Sequence, residues 1–162
     1  MAVTTENSDQ RANEIASPPV MNPSHESHGR IRYKRFTFTQ GAAAGDAGSI
    51  ARLPILPAGK VRVLLHLSRI AFSAMGAART MDLGWEAYNG DDGGAAVAAD
   101  PNGLDDGVDV AAAGSVVPGG TVGGDESYLF ESAGGVVLTL QINDGTIPAA
   151  ATLQGCIAYV ID

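Results

Sequence analysis

Lys60-Val61-Arg62-Val63-Leu64-Leu65-His66-Leu67-Ser68-Arg69-Ile70-Ala71-Phe72 is the strongest strand signal in the chain, and its reading decides the fold class. Val61, Val63, Leu65 and Leu67 fall on one side of an extended segment, with Arg62, Leu64, His66 and Ser68 on the other. That period of two marks a strand with one buried face. The turn Pro57-Ala58-Gly59-Lys60 launches it. This is also the most apolar stretch of the sequence. Arg62, His66 and Arg69 break it well short of the roughly 18 apolar residues of a spanning helix, so no membrane partner is expected.

The same alternation recurs on both sides. Ile31 to Thr39 places Phe36 and Phe38 on one face and Thr37 and Thr39 on the other. Ser49 to Ile55 is a short strand stopped by Pro54 and Pro57. Arg79 to Tyr88 sets Met81, Leu83, Trp85 and Ala87 against Thr80, Asp82, Gly84, Glu86 and Tyr88. Ser127 to Glu131, Gly135 to Ile142 and Thr152 to Ile161 complete the set, with Val136, Leu138, Leu140 and Ile142 opposing Val137, Thr139 and Gln141. Residues 89 to 127 read as long Gly/Asp/Ala loops with short extended pieces near Ala95 to Ala98 and Val116 to Val117. No helix of ten residues is predicted anywhere in the body. The expectation is an all-β antiparallel β-sandwich or jelly roll of about eight strands over residues 30–162.

Composition agrees. The 162 residues suit one domain. Apolar residues make up 45% of the chain but only nine are aromatic, which suits two thin layers whose modest side chains interdigitate. The 21 glycines and 8 prolines fall between the alternating runs, as in a many-turned β domain.

Residues 1–29 stand apart as an extended N-terminal arm. Thr5 to Ala16 predicts a short helix with Thr4 or Thr5 as N-cap. Ser17 to Gly29 holds three prolines and two histidines and has little to bury. Ile15, Val20 and Met21 are isolated apolar anchors that suit a strap ordering against a neighbouring subunit. Arg30, Arg32, Lys34 and Arg35 form the one dense cationic cluster, with Arg30, Arg32 and Lys34 on one face at strand spacing, and they suit contact with an acidic protein surface.

All 10 Lys and Arg lie between Arg11 and Arg79, and residues 1–79 hold only 5 acids, while the 13 acids from Thr80 onward have no Lys or Arg among them. The molecule therefore has two electrostatic faces, or the fold interleaves its halves and the asymmetry vanishes in space. A net charge of −8 argues against nucleic acid as partner. The opening MAVTTENSDQ is polar and acidic, so no signal peptide is expected. The sole cysteine, Cys156, excludes an internal disulfide, fits assembly in a reducing cytoplasm, and reads as a buried small hydrophobe.

No reactive constellation emerges, and the chain is expected to be no enzyme and to need no cofactor. The segment from Asp100 fails the EF-hand pattern because Leu104 and Asp105 stand where a ligand and a glycine belong. Solvated turns and an irregular calcium site on Asp105, Asp106 and Asp109 remain alternative readings of those acids. His25 and His28 lie in the arm and His66 is mid-strand. No G-x-S-x-G elbow, P-loop or C-x-x-C is present.

Several segments resemble a known group: MAVTT at the start, SPPVMNPSHESHGRIR at 17–32, GDAGS at 45–49, LPAGKVR at 56–62, MDLGWEAY at 81–88, DPNGLDDGVDV at 100–110, LFES at 129–132 and YVID at the end. Together they are similar to small virion proteins of tailed bacteriophages encoded near the major capsid protein, and specifically to capsid decoration (cement) proteins. The resemblance implies a β-sandwich or jelly-roll subunit, commonly a homotrimer, on the outer surface of the capsid. It further implies that the partner is the major capsid protein and that the role is to bridge neighbouring capsomers. It carries no catalytic residues. Two alternatives remain: a tail, neck or fibre-associated virion protein, and a carbohydrate-binding module using Trp85 and Tyr88 as stacking platforms.

Overall fold

In the computed structural model the described residues are 5–18, 20, 31–91, 94–122 and 127–162. The order of elements is β1 (Thr5–Asn7), α1 (Asp9–Ile15), β2 (Arg32–Thr39), β3 (Ser49–Arg52), β4 (Gly59–Phe72), β5 (Thr80–Trp85), β6 (Tyr88–Asn89), β7 (Ala96–Val97), β8 (Asp100–Asp109), β9 (Gly114–Val116), β10 (Ser127–Ser132), β11 (Leu138–Asn143) and β12 (Thr152–Ile161). One sheet has the order β1-β3-β11-β5-β8, and the other the order β10-β4-β12-β2, with β9 added to the far end of β4.

Four short strands (β1, β6, β7 and β9) are additions to a simpler plan. Of the remaining eight, the first pairs with the last, β2 with β12, and the second with the seventh, β3 with β11. The third pairs with the sixth, β4 with β10, and the fourth with the fifth, β5 with β8. All four pairings are antiparallel, so the body is one long antiparallel ribbon rolled into two sheets, which is the topology of a jelly roll. The side chains between the sheets form one core. It includes Phe36 and Phe38 from β2, Val61, Val63 and Leu65 from β4, Met81, Leu83 and Trp85 from β5, Leu138, Leu140 and Ile142 from β11, and Leu153 and Ile157 from β12.

Strand β4 departs from simple alternation. Val61, Val63 and Leu65 are buried, but so are Ser68, Ile70 and Phe72, and Leu67 stands 38% exposed. The register explains the change of phase: Ala158 of β12 faces Leu64, whereas Cys156, two residues earlier, faces Arg69. Residues 65–68 are therefore a bulge, which inverts the side-chain alternation and turns Leu67 outward. Ser68 fills the gap in the ladder. Its hydroxyl accepts the Ala158 N–H at 3.0 Å and donates to the Leu64 carbonyl at 2.9 Å. The serine thus satisfies two backbone groups that the bulge would otherwise strand.

The segment Asp100–Asp109, expected as loop, is the strand β8. It pairs with β5 through two irregularities, with Met81 opposite Val108, Leu83 opposite Asp105 and Trp85 opposite Asp100. Its Asp and Gly content suits a bulged sheet edge, where charges and irregularity also discourage pairing with another chain. The surplus residues pack closely on β5. A Cβ at Gly84 would overlap the backbone of Asp100 and Pro101, and one at Gly103 would enter the Trp85 ring.

The N-terminal segment also differs from expectation. Helix α1 begins at Asp9 with Ser8 as N-cap, its side chain accepting the Arg11 N–H at 3.3 Å. Thr5–Asn7 instead forms β1, parallel to β3, and the Ser8 N–H continues the contact to the Arg52 carbonyl at 3.0 Å. As a strand, Thr5–Asn7 pairs the backbone edge of β3 that an extra helical turn would have left open. The helix packs against β2, so β1 and α1 cover the side of the sandwich where β3 and β2 are the outer strands.

Candidate functional site

Charge is sorted by sheet. The strands of the β10-β4-β12-β2 sheet carry Arg32, Lys34, Arg35, Lys60, Arg62 and Arg69 against a single carboxylate, Glu131. Those of the other sheet carry Glu6, Asp82, Asp100, Asp105, Asp106 and Asp109 against Arg52 alone. Of the two alternatives left by the sequence, the fold selects distinct faces. The reason is topological: β2 and β4, which hold the cations, are both in one sheet, and the acid-rich β8 is in the other.

The outer face of the basic sheet carries the ion pairs of Lys60 and Arg62. Lys60 pairs with Glu131 at 3.1 Å, and Arg62 donates from Nε and Nη2 to one Asp162 oxygen at 3.1 and 3.0 Å. Arg35 and Arg69 lie further along the outer face. Both stand opposite Cys156, one on each neighbouring strand. They line an open depression of about 500 Å³ together with Thr37, Ala71, Gln154 and Cys156. Arg69 donates to the Ser115 hydroxyl at 2.6 Å. Cys156 is partly exposed here, not the buried hydrophobe expected, because its side of β12 is the outer one.

The predicted contact residues are divided. Arg32 and Lys34 share the side of β2 with the buried Phe36 and Phe38, and Arg35 is on the opposite side. The Arg32 Nε is buried without a hydrogen-bond partner among the described residues. Ile15 and Val20 are each 54% exposed. Met21 and Arg30 lie outside the described residues, as do His25 and His28. Arg69 and Cys156 were missed as site residues. The strands that bring them beside Arg35 are far apart in sequence, and only pairing reveals the row.

The acidic sheet uses several of its carboxylates internally. Asp82 is 7% exposed; one oxygen accepts the Gly107 N–H at 2.9 Å and the other accepts from the Asn143 amide, which in turn accepts from Gln141. Asp105, 5% exposed, accepts the N–H groups of Gly119 at 3.3 Å and Gly120 at 3.1 Å. It therefore pins the loop after β9. Asp109 accepts the Ala111 N–H, and Asp106 is exposed. Among the described residues no three metal-ligating side chains converge.

Burial raises the Asp105 carboxyl above the usual carboxylate range, and the backbone N–H groups only partly offset it. A raised folded-state pKa means that the native chain binds a proton before the unfolded chain does. Stability from this group therefore grows as pH falls through the raised value, and levels off below the ordinary carboxylate range. Asp105→Asn is expected to remove that increment. Thermal melts at closely spaced pH values from 4 to 7 should show a wild-type minus variant difference that rises toward acid. A flat difference would mean that Asp105 titrates normally.

Trp85 is not an open platform. It is 6% exposed, its centroid lies 5.0 Å from Tyr128 and 5.3 Å from Phe130, and its Nε1–H donates to the Ala98 carbonyl at 3.2 Å. Tyr88 packs edge-on against Phe130 at 6.0 Å. Burial raises the phenol pKa values of both tyrosines. These rings cross-brace the two sheets, so the sugar-stacking reading loses its platforms.

A jelly roll is an architecture used by viral capsids, lectins and cupins alike, so fold alone defines a class of scaffold. Within that class, the chain is similar along its whole length to a solved chain of the capsid of Ralstonia phage GP4. The TM-score is 0.64 with 22% identity, covering 98% of this chain and 99% of that one. A looser likeness, TM-score 0.46 and 14% identity over 88% of this chain and 93% of the other, is to a chain of the cyanophage Pam1 capsid asymmetric unit. No protein-family model matches the sequence, and no curated protein does.

Proposed function

We propose that this chain is a structural virion protein, a decoration (cement) subunit that binds the outer surface of the capsid shell and bridges neighbouring capsomers. The observation that carries the proposal is the end-to-end fold likeness to a chain of a phage capsid, with neither chain leaving a domain unmatched. The local physics supports adhesion over catalysis. Buried polar groups such as Ser68, Asp82 and Asp105 are engaged in holding bulges and loops, and what remains exposed is a charge-sorted surface. In this reading residues 30–162 are the rigid body and residues 1–29 a strap, which β1 and α1 seat on the open side of the sandwich with Ile15 and Val20 outward. The partner is the major capsid protein. Assembly as a homotrimer makes three weak contacts act together, which multiplies residence time without stronger individual bonds.

The test is add-back to shells prepared without this protein. The chain should sediment with them in numbers comparable to capsid subunits or a third of them, and should raise the temperature or osmotic shock at which filled heads rupture. Intact particles holding only a handful of copies would move the protein to the tail or neck. Its absence from particles would defeat the proposal.

A further inference from the structure

The outer face of the β10-β4-β12-β2 sheet carries a cation pair, Arg35 and Arg69. Adjacent strands lie about 4.8 Å apart, so Arg35 and Arg69 project from strands roughly 10 Å apart with Cys156 between them. Among the described residues, no carboxylate reaches either one. This contrasts with Lys60 and Arg62 on the same face, each paired with its own acid. The two guanidinium groups border the depression of about 500 Å³, and the β4 bulge turns Leu67 outward two residues before Arg69. A forked donor on each side of a depression suits a carboxylate, which accepts two parallel N–H bonds from an arginine.

We propose that this face is the one that docks on the shell, and that the shell surface it meets is acidic, presenting a carboxylate side chain between Arg35 and Arg69. The inference rests on the decoration reading and specifies its orientation. An acidic partner is attracted to this sheet and repelled by the other, whose exposed edge carries Asp100, Asp106 and Asp109. A sandwich with one basic and one acidic layer therefore lands one way up. Complementarity of this kind selects orientation and register more than raw affinity. A nucleic-acid phosphate has the right charge but is disfavoured by the acidic layer and the net charge of −8.

Two measurements test it. The first is binding of the Arg35→Glu/Arg69→Glu variant to shells lacking this protein, beside wild type and Asp106→Lys. The double variant should bind at least ten-fold more weakly with an unchanged melting curve, and Asp106→Lys should stay within two-fold of wild type. The second uses Cys156, the only cysteine of the chain, as a native footprint. Its alkylation by a small maleimide should be at least ten-fold slower in intact particles than in the free protein. Wild-type binding by the double variant, or undiminished Cys156 reactivity on particles, would overturn the assignment of this face while leaving the decoration reading intact. Failure of wild type itself to bind shells would defeat the decoration reading, and this inference with it. Retention of DNA by wild type, lost in the double variant, would reassign the pair to phosphate.

Discussion

Trp85→Ala is expected to lower the stability of the fold by about 3–5 kcal/mol, the range for emptying a large aromatic site in a core. The indole sits where the two sheets are held together at one end, packed on Tyr128 and Phe130 of β10 from its own position at the end of β5. Its removal takes away burial, two ring contacts and the hydrogen bond to Ala98. It also leaves a void beside Gly103, whose missing side chain is what lets the ring lie against β8. A domain is stable by only about 5–15 kcal/mol, so the variant should melt on the order of 10 °C lower and expose Tyr128 to solvent. Trp85→Phe keeps the contact with Phe130 and should lose markedly less. A melting temperature for Trp85→Ala within a degree or two of wild type would show that the aromatic cluster does not brace the sheets.

Gly84→Val is expected to cost about 3 kcal/mol by the opposite mechanism, overpacking. Gly84 faces outward from β5, where a sheet normally tolerates any side chain. Here the β8 bulge folds the carbonyl of Asp100 and the backbone of Pro101 onto it, and a Cβ would occupy the same space. Either the bulge unfolds from β5 or β5 withdraws from β11, and both break ladder hydrogen bonds. Proteolysis within 98–104 should accelerate along with the fall in melting temperature. Gly134→Ala is the control, since a Cβ there meets nothing within 4 Å and the change should stay within about 0.5 kcal/mol. Equal melting of the two variants would refute the bulge contact.

Together the two variants bear on function, because the proposed docking face needs a stiff support. The row Arg35, Cys156, Arg69 keeps its spacing only while β2, β12 and β4 remain in register. The Ser68 hydroxyl helps to hold that register next to the bulge.

Alternation by itself determined the main strands and much of the core: Phe36 and Phe38, Val61, Val63 and Leu65, Met81, Leu83 and Trp85, and Leu138, Leu140 and Ile142 were legible because burial of one face imposes a period of two on local sequence. Three features were decided only by tertiary structure. The phase change at Leu67 and Ser68 depends on β12 supplying fewer residues than β4 across the same span. The strand β8 has no apolar alternation to announce it, since its conformation comes from hydrogen bonds to β5 and from the space left by Gly84. The meeting of Arg35 with Arg69 arises from two pairings to β12, one of them joining the first and last strands of the rolled ribbon. Local sequence carries the preferences of single strands; contacts between residues more than eighty positions apart exist only once the ribbon has closed.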